Sequence, residues 1–279
     1  MKKLVTFFLA LVMPIMLWAY DFQSGDLYYN ITSDSTAMVT SKSASYPYNN
    51  GVTITSAVIP SSVSYSGKTF VVTAIDDYAF MNCTSLASLS IPLSVKDIGF
   101  DALKNTTLYN NSSLWENGVL YVGDCLIDAK NTLSGSYVVK SDTRLIAKSS
   151  FNQCSLLTSI TIPENVEAIG TLAFYDCESL SEVFWNAKNC KITSGTNLSG
   201  KAVTFGDAPI RTFKFGDNVQ TIPAYLCYEM NTLQSITLPN SVTTIGGYAF
   251  VGCYFLTSVT IPENVTNIGR NAFSSCSSL

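Results

Sequence analysis

The 279-residue chain contains no histidine. That removes the commonest general base and the commonest metal ligand, and most hydrolytic mechanisms lose their central residue. Charge is scarce too: only 13% of residues are charged, 16 Lys and Arg against 20 Asp and Glu, with no basic run. Nucleic acid is therefore not an expected partner. After the first residues no apolar run is long enough to span a bilayer, so no transmembrane helix is expected in the mature chain. There is no G-x-S-x-G, no phosphate-cradling glycine loop, no cluster of carboxylates and no C-x-x-C pair. The sequence predicts a protein that is not an enzyme and has neither cofactor nor metal centre.

Apolar residues are plentiful, at 47% of the chain, enough for a substantial core. Residues 1–19, MKKLVTFFLALVMPIMLWA, have the pattern of an export signal: Lys2 and Lys3, then apolar residues Leu4 to Leu17, then the small Ala19. A secreted or cell-surface location is the corresponding expectation. In an exported chain eight cysteines first suggest disulfides, but their spacing leads elsewhere.

That spacing belongs to a repeat. LTSVTIPENVTNIGRNAFSSC, ending at Cys276, nearly reproduces the segments ending at Cys177 and Cys253. Phe151 and Phe174, and again Phe250 and Phe273, stand 23 residues apart. Weaker copies follow the same register, through Phe80 and Cys83, through Tyr137, Val139 and Ile146, and through Phe213, Val219 and Ile222 with Cys227 in the Phe position. A period of this length means stacked coils, each too small to bury its own apolar face. Within a unit, Val259 and Ile261 alternate with Ser258 and Thr260, which predicts a short strand with one wet face. Pro262 ends it, Val265 and Ile268 plug inward, and NAFSSC has spacings that suit a helical turn on the opposite side. Strands are expected around residues 89–91, 137–139, 160–162, 183–185, 213–215, 236–238 and 259–261, all in one parallel sheet.

The unit resembles the 23-residue leucine-rich repeat of BspA-type bacterial surface proteins. Leu157, Ile160, Ile162 and Asn165, and again Leu256, Val259, Ile261 and Asn264, match its L-x-x-L-x-L-x-x-N core. The resemblance implies a β-rich solenoid over residues 58–279, with a curved parallel sheet on its concave side and short helical or 3-10 turns on the other. It also implies a β-hairpin insertion, expected at residues 104–136. Residues 20–57 predict a small β cap over the first coil, residues 58–80 a first unit enlarged by a hairpin at Gly67, and residues 186–212 a loop-rich irregular turn. The cysteines at the recurring position, with Met230 replacing one, suit a buried ladder of free thiols.

Outward strand positions define two rows, one through Val138, Thr161, Phe184 and Lys214, the other through Ser136, Ser159, Glu182 and Thr212. Most outward residues carry only small hydroxyls, which merely solvate a sheet. The break at Phe184, Glu182, Thr212 and Lys214 is the first candidate binding surface, since aromatics are enriched at interface centres; alternatively Phe184 packs beneath its own loop. Tyr109, Trp115 and Tyr121 of the insertion form the second candidate, or else fasten the hairpin to the solenoid. The resemblance implies a binding or adhesion module for a protein or glycan ligand on host or neighbouring cells. The other reading is an assembly protein whose last repeat, ending at Leu279, stacks onto another solenoid.

Overall fold

The computed structural model describes residues 20–42, 54–193 and 204–279; the expected export signal lies outside them. The chain coils into a solenoid of stacked units, and every hydrogen-bonded pair of concave strands is parallel. Ser159, Glu182 and Thr212 stand in register, as do Thr161, Phe184 and Lys214. Within the pairs that form, the 23-residue alignment predicts the register correctly.

The single concave sheet is not continuous. Ser56–Val58 pairs with Ser88–Ser90; Ser134–Val138, Leu156–Ile162, Glu182–Trp185 and Thr212–Phe215 form a four-stranded sheet; and Ser235–Thr237 pairs with Ser258–Thr260. The first break lies where the insertion intervenes. The second lies between Thr212–Phe215 and Ser235–Thr237, which belong to different sheets.

A second parallel ladder, not foreseen from the pattern, runs along the flank. Ala168–Gly170 lies between Leu145–Ile146 and Lys191–Thr193, and Thr244–Ile245 between Thr221–Ile222 and Asn267–Ile268. These strands hold the second inward Ile of the repeat, followed by Gly170, Gly246 and Gly269 in three units and by Ala147, Thr193 and Pro223 in the others. A Cβ on Gly170 would collide with the backbone of Lys148, and one on Gly246 with that of Ala224. Glycine is thus required here by close approach of the preceding coil.

Among the described residues the helical segments are Thr107–Asn110 and the 3-10 turn Ser112–Leu114, both at the insertion, and the convex side of the other units carries turns. Residues two before and two after the Phe position adopt left-handed backbone in unit after unit, as at Tyr248 and Gly252 around Phe250 and at Leu172 and Asp176 around Phe174. This geometry turns alternate N–H groups toward the next coil: Ser149, Phe151 and Gln153 donate to the carbonyls of Thr171, Ala173 and Tyr175 at 3.2, 2.7 and 3.0 Å. A helix would direct those groups into its own turn. The rings stack in the same column, Phe151 on Phe174 and Phe174 on Phe205, each at 4.9 Å. Within the stretch expected as an irregular turn, Lys191–Thr193 forms a flank strand and Phe205 continues the column of rings.

At the N-terminal end Phe22–Ser24, Leu27–Ile31 and Thr36–Thr40 form an antiparallel meander whose last strand pairs in parallel with Lys68–Ile75. Ser62–Tyr65 and Lys68–Ile75 form the hairpin predicted at Gly67. The insertion is built differently from an external flap. Val119–Val122 and Cys125–Ala129 form a hairpin buried on both faces. Leu120, Val122, Cys125 and Ile127 join the core containing Phe80 and Leu103, whereas Val119, Tyr121, Leu126 and Ala129 join the core containing Phe151 and Phe174. The hairpin is a partition between two hydrophobic cores.

Candidate functional site

The concave face presents the predicted patch. Val183 and Trp185 are fully buried, so strand parity sends Glu182 and Phe184 outward. Phe184 is half-buried, and the Lys214 ammonium lies 5.3 Å from its ring centroid, in the range of a cation–π contact. Glu182 is exposed and Thr212 half-buried beside it on the next strand. Around them lie small hydroxyls, with one further apolar side chain, Val138, 66% exposed in the same row as Phe184.

Beyond this row the sheet edge opens into a groove of about 610 Å³ lined by Val138, Lys140, Thr161, Glu164, Asn186 and Asn218. Counting two residues on from Val138, Thr161, Phe184 and Lys214 gives Lys140, Pro163, Asn186 and Gly216, all of which line the groove. The groove lining carries the amides of Asn186 and Asn218 and both signs of charge, Lys140 against Glu164 and Asp217, so the face offers an aromatic centre with a polar border.

The insertion aromatics are brought together differently. The Trp115 indole N–H donates to the Tyr109 carbonyl at 2.7 Å, with the two rings edge-on at 5.2 Å. The Tyr109 hydroxyl bonds the Asp128 carboxylate. Burial drives the Asp128 carboxyl up to about 6, overriding the hydrogen bonds from Tyr109 and the Ala129 N–H that favour its ionised form. Tyr121 lies apart from that pair. It shares a hydroxyl contact of 3.0 Å with Tyr137 and packs beneath the Lys140 ammonium. Tyr121 thus ties the hairpin to the coil of Tyr137, whereas Tyr109 and Trp115 tie parts of the insertion to one another and line a cleft on the convex side.

The repeat cysteines are free, and Cys154, Cys177 and Cys253 are fully buried. The Cys177 thiol donates to the Phe151 carbonyl and the Cys253 thiol to the Cys227 carbonyl, each one coil back. Burial pushes the Cys177 and Cys253 thiols up to about 12, which suppresses the nucleophilic thiolate. Among the described residues no group of three or more Cys, Asp and Glu is arranged to hold a metal. No helix among them is long and apolar enough to cross a membrane.

Comparison with known proteins bears on the repeat. The chain is similar over 93% of its length to 93% of a leucine-rich repeat protein from Bacteroides ovatus, at 19% identity and a TM-score of 0.44. A leucine rich cell surface protein from Faecalibacterium prausnitzii aligns over 92% of this chain and 93% of its own, at 18% identity and a TM-score of 0.37. The leucine rich repeat protein of T. pallidum aligns over 91% of this chain and 88% of its own, at 22% identity and a TM-score of 0.32. No curated protein matches the chain. The model of the BspA type leucine rich repeat region matches residues 73–197 and 199–279 in six copies, and the chain belongs to that family.

Proposed function

We propose that the protein is a binding module that engages a partner through its concave face, at the surface of the cell or after release from it. The observation that carries this reading is Phe184, an aromatic held half-exposed by strand parity and capped by the Lys214 ammonium amid a field of small hydroxyls. A half-exposed ring with a cation over it gives little to the fold and is preorganised for contact, since sheet strands hold both side chains rigidly. The groove through Asn186 and Asn218 supplies hydrogen-bonding groups for a polar rim. A protein ligand on host or neighbouring cells fits this mixture best, and the export-like first 19 residues support presentation outside the cell. A glycan ligand remains the second arm of the test.

The experiment is a comparison of the chain with a Phe184→Ala, Lys214→Ala double variant on arrays of extracellular-matrix proteins and glycans. Losing an aromatic anchor costs a complex about 2 kcal/mol or more, roughly thirtyfold in affinity. Surface substitutions alter stability by about 0.5 kcal/mol or less. Weakened binding with an unchanged melting temperature is expected. Lost stability with binding intact would mean that Phe184 only packs within its own molecule.

A further inference from the structure

Among the described residues, no backbone hydrogen bond joins the concave strand Thr212–Phe215 to the next, Ser235–Thr237. The junctions on either side are laddered: Glu182–Trp185 pairs with Thr212–Phe215, and Ser235–Thr237 with Ser258–Thr260. The flank ladder falters at the same place. Gly246 and Gly269 each donate an N–H to the carbonyl of an Ile one coil back, at 2.8 Å; the residue in their position at this junction is Pro223, which has no N–H. A Cβ on Gly246 or Gly269 would stand 2.3 Å from the backbone of the preceding coil, so the ring of Pro223 demands more room than those junctions allow.

The convex side is interrupted too. Tyr225, Cys227 and Glu229 donate to the carbonyls of Gly247, Ala249 and Val251 at 3.2, 2.7 and 2.7 Å. One coil earlier the Phe205 N–H, in the place of that of Cys227, meets no acceptor among the described residues. The ring column stops there as well, because Cys227 follows Phe205 and stacking resumes with Phe250 on Phe273. Two sets of bonds between described residues cross the junction. The Gln220 and Thr221 N–H groups share the Lys188 carbonyl at 2.9 and 3.2 Å, and the side chains of both bond that of Asn189 at 3.0 Å. The Thr232 hydroxyl donates to the Ile210 carbonyl at 2.6 Å. The apolar core runs on through the junction, from Ile210 and Phe213 to Leu226 and Ile236, but such packing is not directional.

We propose that this junction is a hinge, about which the coils from Pro223 to Leu279 rock as one body against those before them. The segment Gln220 to Ile222 is its pivot. It bonds to Lys188 on one side and, through the Gln220 and Ile222 carbonyls, to the N–H groups of Thr243 and Gly246 on the other. The pivot and the Thr232–Ile210 bond lie at the two borders of the concave strands. Rocking about the line between them opens the concave side as it closes the convex one, and the apolar core needs only to slide. Phe184 and Lys214 ride on one body, Thr237 and Thr260 on the other, so a ligand spanning both would favour one angle. The hinge itself does not depend on what the concave face binds.

The test is amide relaxation dispersion on the deuterated, nitrogen-15-labelled full chain, which reads hinge motion on the microsecond-to-millisecond scale. Exchange at one shared rate is expected in Thr212–Phe215 and Ser235–Thr237, with flat profiles in Leu156–Ile162. Pro223→Gly restores a donor and removes the ring, and should abolish that exchange while the melting temperature stays unchanged or rises. Thr232→Val removes the bond to Ile210 and should increase the exchange; with the parent profile it decides the matter should Pro223→Gly not fold. Flat profiles at both strands, exchange that grows steadily toward Leu279 as fraying would, or profiles indifferent to both substitutions would each overturn the proposal.

Discussion

Arg144 pins the inserted hairpin to the solenoid, and Arg144→Ala isolates that connection. Its side chain is 7% exposed. Nε donates to Asp124 Oδ2 at 2.8 Å, Nη2 to Asp124 Oδ1 at 3.3 Å, and Nη1 to the Val95 carbonyl at 2.7 Å. Truncation removes these three bonds and a weaker one from Nη2 to Cys125 Sγ at 3.6 Å; it leaves the Val95 carbonyl without its guanidinium donor and Asp124 with the Cys125 thiol, at 3.2 Å, as its remaining side-chain donor. Breaking a buried ion pair costs about 3–5 kcal/mol. Asp124 keeps 33% of its side-chain exposure and recovers some water, so the lower end, about 3 kcal/mol, is expected. At about 2–4 °C per kcal/mol for a large domain, the melting temperature should fall by about 6–12 °C. Burial alone would raise the Asp124 carboxyl, but the Arg144 hydrogen bonds and charge outweigh it and hold it below its ordinary value. A depressed folded value means the contribution is present above the unfolded pKa and is lost as pH falls through the folded one. The gap between parent and variant should therefore narrow in strong acid. Urea unfolding across pH measures this, and amide exchange over Val119–Ala129 reports release of the hairpin. A loss below about 1 kcal/mol, or a gap indifferent to acid, would refute the ion pair as the fastening.

Three further outcomes are expected. Phe174→Ala removes the middle ring of a three-ring stack in a fully buried column, and should cost about 3–5 kcal/mol in urea unfolding; a cost near 1 kcal/mol would mean the column collapses around the gap. The thiols of Cys154, Cys177 and Cys253 should resist a colorimetric thiol reagent in native protein and react fully in denaturant, whereas intact mass showing bridged cysteines would exclude the free ladder. Asp128 has a folded value raised to about 6, so its protonation favours the folded state. Its penalty should lift as pH falls from neutrality toward its unfolded value of about 4, and Asp128→Asn should flatten stability over that window.

The repeat was legible because its signal is redundant. Ser159, Glu182 and Thr212 could be aligned by counting from Phe and Cys positions alone, since one register fixes every inward and outward side chain. At the Asn position of the repeat, Asn165 and Asn264 each donate to a backbone carbonyl of the preceding coil at 2.8 Å and Ser241 does the same at 2.6 Å, whereas the Ser94 hydroxyl is buried without a partner. The flank ladder was missed because its strands are two or three residues long. Alternation cannot be recognised over so short a run. The turns misled for a related reason. Ala272, Phe273 and Cys276 have helix-like spacing, but it is the left-handed backbone at Asn271 and Ser275 that sets their directions, and Asn and Ser at those positions are too common to announce it.

The insertion shows where pattern reading stops. VLYV and CLIDA are apolar on both faces of their strands, and a hairpin lying on a surface would alternate. That double-sidedness was present in the sequence and marks a strand buried on both sides. What the sequence does not carry is the second core, because the faces of Leu120 and Val119 are chemically alike and only the stack assigns one to Phe80 and the other to Phe151. The Asp101 and Leu103 N–H groups, which meet no acceptor among the described residues, owe this to that placement and not to their own side chains. The partition separates two turns that pair directly elsewhere in the stack, and of their facing backbone groups only the Ser150 carbonyl finds a substitute partner, the Ala129 N–H.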